Sequence, residues 1–261
     1  MNPTVAKYVN LILYGVMIFL IIRIIMMQRR TRKNQKLIEA VQSVNDEDIF
    51  FDKIDTLMKH LEDKKEEEFI VKAQIVKLWG LVYHNKFDEF EKLLPEIDAN
   101  KLIVQKEGKP ADIELNEDSF FYLYIAIPEM LEAKNRTDLR KKLEDKTAEY
   151  DSLLNMYLVK AISYALRQYY NHEGDRGLSF YEKVLSGDYG EYTYAKSLIG
   201  MYKSILNAQA AKLYLEKNDQ EKFNNCMELL RDFKETSVGL RWLNDLGLTS
   251  YIKDEEEEED K

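Results

Sequence analysis

The chain is poor in residues that turn a backbone sharply, with Gly 10 and Pro 4 among 261 residues. That scarcity disfavours turn-rich sandwiches, barrels and nucleotide folds built on glycine loops, and it favours long helices. A single cysteine, Cys226, excludes an intramolecular disulfide framework and a cysteine-cluster zinc site. Set among Phe223, Met227 and Leu230, it reads as a small buried apolar residue. The three histidines, His60, His84 and His172, have no partner at paired-helix ligand spacing, so solvated or capping roles are favoured over metal binding. Glycine-rich phosphate cradles, nucleophile elbows and zinc-protease helix motifs are also missing. No catalytic residue, metal or cofactor is implied, and the expectation is a protein that is not an enzyme.

Positive charge is scarce except at one end. Residues 1–40 are +6, with Lys7, Arg23, Arg29, Arg30, Arg32, Lys33 and Lys36 against Glu39, whereas the remainder is -15. A body this acidic is a poor nucleic-acid binder, because neutralising phosphates takes clustered Lys and Arg on a folded face.

The basic cluster follows a hydrophobic segment, residues 5–27, that reads VAKYVNLILYGVMIFLIIRIIMM. As a helix these residues reach about 34 Å, enough for a hydrocarbon core about 30 Å thick. A signal peptide would need small residues at a cleavage site, where Met26, Met27, Gln28, Arg29 and Arg30 stand instead. The expectation is therefore an uncleaved single-pass anchor over 1–28. Arg29, Arg30, Arg32, Lys33 and Lys36 follow it, and the positive flank places the amino terminus outside and the body in the cytoplasm. These five residues, in a linker over 29–44, serve as a topology signal and are also candidates to face anionic lipid.

From 45 to 250 apolar residues recur at helical spacing. Asn45 to Asp48 form an N-cap with acids in the first turn. One helix is expected to end near Asn85 and a short one to run from Phe87 to Leu94, stopped by Pro95. Residues 101–117 alternate around Glu107, Gly108, Lys109 and Pro110, as a small hairpin or, preferred here, an ordered loop. Phe120 to Ile127 is expected to be a buried central helix. Long helices follow over about 136–170 and 192–216, around a shorter one near Leu178 to Leu185. Helices joined by short turns fold back on one another, so the fold class is all-α, an antiparallel helix-hairpin solenoid or bundle.

The stretch from Ala210 to Phe223, with Ala211 three residues before Tyr214 and a polar turn at Asn218 and Asp219, resembles the tetratricopeptide repeat. Phe223 departs, since that family usually has alanine at the crossing. Weaker matches run from Ala161 and Ala165 through Gly177, Tyr181 and Val184, and around Gly80 and Tyr83 with Phe87 and Phe90. The resemblance covers scattered pieces, about 100 residues, and implies a concave protein-binding surface.

Nine of the 17 tyrosines fall between Tyr164 and Tyr214. They either pack helix on helix or line a peptide groove, with Tyr164, Tyr169, Tyr192 and Tyr202 as the candidate partner contacts. The tail over 251–261 carries seven consecutive acids, which repel one another; it solubilises, docks on a basic partner or competes for the chain's own basic cluster. These features point to a membrane-anchored scaffold whose cytoplasmic domain recruits a protein or peptide partner with basic residues. The alternatives are a component or enzyme of a membrane transport or envelope-building machine, and an extracytoplasmic chaperone-like repeat protein.

Overall fold

The computed structural model describes residues 27–104, 112–171, 174–231 and 237–251. The apolar segment 5–27, except Met27, and the acidic run of the tail lie outside them. Among the described residues no helix is long and apolar enough to cross a membrane. The described chain is all-helical, with two isolated bridges, Val104 with Asp112 and Tyr157 with Thr193, and no strand.

Helix α1 covers residues 27–42, followed by α2 (Glu47–Asp63), α3 (Glu67–Tyr83) and α4 (Phe87–Leu93). Asp46 caps α2 by accepting from the Ile49 amide at 3.0 Å. Residues 29–44, expected as a linker, are instead mostly α1, and their Leu37, Ala40 and Val44 are buried in the core. The reason is periodicity: these residues share one face of a helix, which burial rewards. Helix α1 runs alongside α3 in the same direction. Arg30 meets Glu68 near both amino termini, at 2.8 Å, and the Val44 carbonyl meets His84 Nε2 at the other ends, at 2.7 Å.

Helix α3 is buried nearly all round, including Ile75, Leu78 and Trp79, and forms a central rod. It packs against α2 through Gly80, where an added Cβ would overlap the ring of Phe50. A second rod is the continuous helical stretch α5 (Glu117–Phe121), a π-turn (Tyr122–Ala126) and α6 (Ile127–Ala133). Pro128 accounts for the π-turn, because its ring crowds the carbonyl of Tyr124 and supplies no amide to it. The helix widens one residue earlier, with the Ile127 amide bonding to the Tyr122 carbonyl.

The helix expected over 136–170 is two helices, α7 (Thr137–Thr147) and α8 (Leu158–Tyr170). Tyr124 donates its hydroxyl to the Thr147 carbonyl at 2.7 Å and Thr193 pairs with Met156 and Leu158, and between these anchors residues 148–157 run as a 3-10 turn followed by further three-residue turns. The same pairing holds 192–195 out of α10 (Ile199–Glu216), which therefore starts later than expected. Between them lies α9 (Gly174–Ser186); α11 (Gln220–Leu229) and α12 (Ser237–Asp245) close the fold. In the 101–117 segment the antiparallel bridge between Val104 and Asp112 brings the chain back without a strand.

Among the described residues, six helix ends share one construction. Lys65, Asn85, Asn135, Gly187, Asn218 and Gly247 have positive φ, and the following amide bonds back five residues, as Lys86 to Leu81 at 2.8 Å and Asp219 to Tyr214 at 2.9 Å. This is the Schellman stop, in which a left-handed residue satisfies carbonyls that the helix leaves open. Hairpins built this way fit a helical-repeat architecture, but the turns are too unevenly spaced for a regular array.

Candidate functional site

The helices enclose a cleft of about 240 Å³ lined by Val41, Trp79, Phe121, Tyr122, Ala126, Glu129, Met130, Met201, Ile205 and Trp242. Its walls come from α1, α3, the π-turn stretch, α10 and α12. Val41, Tyr122, Ala126 and Met201 keep partial exposure and form the mouth, whereas Trp79, Phe121, Glu129 and Trp242 are buried. Both tryptophans of the chain stand in this one cleft. The π-turn forms part of the wall, because Tyr122 and Ala126 are its first and last residues.

Glu129 is the one ionisable carboxyl in the lining and is 2% exposed. Tyr170 Oη donates to its Oε1 and Gln209 Nε2 to its Oε2. Burial raises the acid's pKa to about 8, against the lowering effects of Gln209, Lys212 and Arg140. A protonated Glu129 needs an acceptor. Gln209 Oε1 is buried with no partner among the described residues, and turning the amide over presents it to that proton.

A polar network supports this carboxyl from behind. Arg140, 3% exposed, stacks over the Tyr170 ring with its Cζ at 5.0 Å from the centroid. It pairs with Glu132 through Nε and with Glu144 through Nη1, at 2.6 Å for the latter, and Arg167 meets the same Glu144 at 3.2 Å. Tyr170 is thereby held in position to reach Glu129.

None of the four tyrosines expected to meet a partner lines the cleft. Tyr164 is 62% exposed on α8, and Tyr192 packs its ring near Phe180, at 6.5 Å between centroids. Tyr169 is half-buried against the core, beneath Lys212. Tyr202 is a correction: it is fully buried, donates its hydroxyl to Glu117 at 2.9 Å and belongs to the interior. Its hydroxyl finds a buried acceptor, so the aromatic ring sinks rather than snorkels.

The basic cluster divides. Arg30 and Lys33 turn to the body, where the run Glu66, Glu67 and Glu68 takes Lys33, Lys101 and Arg30 respectively, with Lys101 and Arg30 at 2.8 Å. Arg29, Arg32 and Lys36 stay exposed along α1. Of the histidines, His84 is half-buried, bonded to the Val44 carbonyl and lowered in pKa by desolvation, while His172 lies outside the described residues. Cys226 is buried, and its thiol is pushed up to about 11. Among the described residues no group of His, Cys, Asp or Glu is placed to hold a metal ion.

Sequence reasoning missed Glu129, Trp79 and Trp242. The available signals were both tryptophans falling at apolar helical positions and an acid directly after Pro128 in a strongly apolar helix.

The class defined by this fold is an all-helical protein of stacked hairpins around an aromatic cleft. No family model matches the chain, and no curated protein or solved structure matches it either.

Proposed function

We propose that this protein is a membrane-anchored interaction module: residues 5–27 cross the bilayer once, the body lies in the cytoplasm, and its cleft receives part of a partner protein. The observation that carries the reading is the cleft itself, an aromatic and methionine-lined recess whose mouth no described segment covers. Recognition sites are concave, apolar and sparingly polar in this way, and methionine suits surfaces that adapt to a partner. The tetratricopeptide-like hairpins support the same reading. The ion pairs of Glu66 with Lys33 and of Glu68 with Arg30 fasten α1 to the body.

The test has two parts. A compartment reporter after Lys261 should signal from the cytoplasm; an outside signal overturns the orientation. A photocrosslinker at Met201, 38% exposed at the mouth, should trap a specific protein that then binds the purified body. A crosslinker at Leu229, 66% exposed, should not trap it. Equal trapping from both positions overturns the cleft as the binding site.

A second reading, an enzyme of a membrane machine, draws on the raised pKa of Glu129, since a neutral carboxyl near pH 7 is a general acid in form. The rest of the lining, with Tyr122 the only other hydroxyl or ionisable group, offers no nucleophile–base pair. The interaction reading is the better supported.

A further inference from the structure

We propose that the cleft recognises an organic cation on an apolar stem, carried by the partner as a lysine or arginine side chain. This rests on the reading of the cleft as the partner site. The lining contains four aromatic residues, Trp79, Tyr122, Phe121 and Trp242, and one acid, Glu129. Aromatic rings attract a cation through their quadrupole, most strongly when water is excluded, and cages of such rings are used to recognise ammonium groups. The apolar lining accepts the methylene stem, as it does wherever long basic side chains lie on apolar surface.

The volume fits this ligand. A cleft of about 240 Å³ exceeds the roughly 150 Å³ that accommodates benzene in a buried apolar cavity, and so admits one long side chain rather than a whole helix. Charge complementarity selects the sign: beyond residue 40 the chain carries -15, which draws basic partners and repels acidic ones. The body already uses the chemistry internally, with Arg241 4.2 Å over the Tyr83 ring and Arg136 4.3 Å over that of Phe87.

Binding of a cation favours the ionised form of Glu129, so occupancy releases a proton wherever the empty cleft holds one. The groups facing Glu129 are Glu132 on its own helix, Arg140 from α7, Tyr169 and Tyr170 from α8, Tyr181 from α9, and Gln209 and Lys212 from α10. No histidine is among them.

Both tryptophans line the cleft, so intrinsic fluorescence of the full chain in detergent reads this site directly. The probes are n-butylammonium, a lysine stem, and n-butanol, its uncharged counterpart. Butylammonium should bind at least about tenfold more tightly than butanol at pH 8. Its affinity should rise by up to about tenfold per pH unit between pH 6 and 8, while that of butanol stays flat. Glu129→Gln should keep butanol binding and remove both the preference and the pH slope. Equal binding of the two probes, or a slope unchanged by Glu129→Gln, overturns the proposal. If Glu129→Gln does not fold, the comparison of probes and its pH slope in the native protein decide alone.

The same titration separates the two readings. Butylammonium should displace the partner trapped from Met201, as should a lysine-containing peptide of that partner but not its lysine-to-norleucine form. A partner trapped at the cleft but indifferent to butylammonium overturns the cation and leaves the interaction module standing. Butylammonium binding with the expected slope, but no protein trapped, overturns the protein source and leaves a site for a free organic cation.

Discussion

The ring of Phe50 occupies the space where residue 80 would carry a Cβ, so that α2 and α3 cross with ring against backbone. Phe50 is fully buried, and neither helix can retreat without opening the core around Trp79, whose ring is 6.3 Å from that of Phe50. Gly80→Ala should therefore destabilise the protein by about 1–3 kcal/mol despite the better helix propensity of alanine. Pairing it with Phe50→Leu should recover part of the loss. Urea unfolding of the single and double variants measures both, and a neutral Gly80→Ala would contradict the crossing.

The Schellman stops make opposite predictions at two positions. Lys65 is an exposed, Cβ-bearing residue at φ 55, so Lys65→Gly should stabilise the protein by up to about 1 kcal/mol. Gly187 sits at φ 91 with nothing within 4 Å of a built Cβ, so the cost of Gly187→Ala is conformational alone, about 1 kcal/mol or more. Thermal melts should move upward for the first and downward for the second.

Arg140 bridges Glu132, Glu144 and the Tyr170 ring, and its side chain is buried. Removing it leaves two carboxylates without their shared partner. Arg140→Ala should cost about 3–5 kcal/mol. Arg140→Lys should recover little, because a point charge cannot serve two carboxylates and a ring at once. Arg140→Met combined with Glu132→Gln and Glu144→Gln should recover most of the loss in the same denaturant titration.

The stability of the native protein should respond to Glu129 with a definite sign. An acid near 4.5 in the unfolded chain is raised to about 8 in the fold, so between these values the unfolded state has released a proton that the folded state retains. Stability linked to this group is full below pH 4.5 and is lost as pH rises towards 8. Glu129→Gln should flatten that part of the profile, by an amount on the order of a few kcal/mol across the window. Superimposable profiles of native and Glu129→Gln protein from pH 5 to 8 would show that the carboxyl is not held neutral. Asp138, lowered to about 2 by the hydrogen bond from Arg136, acts in the other direction and is common to both proteins.

Much of the fold is legible locally. The N-cap around Asp46, the stop at Asn85, the short helix from Phe87 and the turn at Asn218 and Asp219 all stand where the sequence places them, because caps and left-handed stops depend on a few neighbouring residues. The break between α7 and α8 is not legible, since it is made by Tyr124 and Thr193, remote in sequence from the residues they hold. The burial of Tyr202 is illegible for a related reason. A tyrosine count cannot distinguish Tyr202, whose hydroxyl finds Glu117 inside the core, from Tyr164, which finds none there.

Composition and periodicity by themselves determine that the body is helical, that its turns are short, that its charge is segregated between its two ends and that no thiol framework supports it. These are properties of single residues and of neighbours within a turn or two. Only the tertiary structure brings Trp79 and Trp242 into one cleft, lays α1 along α3 and divides the basic cluster between body and solvent. It alone turns Glu129 from an ordinary helical acid into one whose pKa burial raises. The reason is physical: a side chain's dielectric surroundings, and hence its charge, are set by atoms from several helices at once, and no stretch of sequence contains them together.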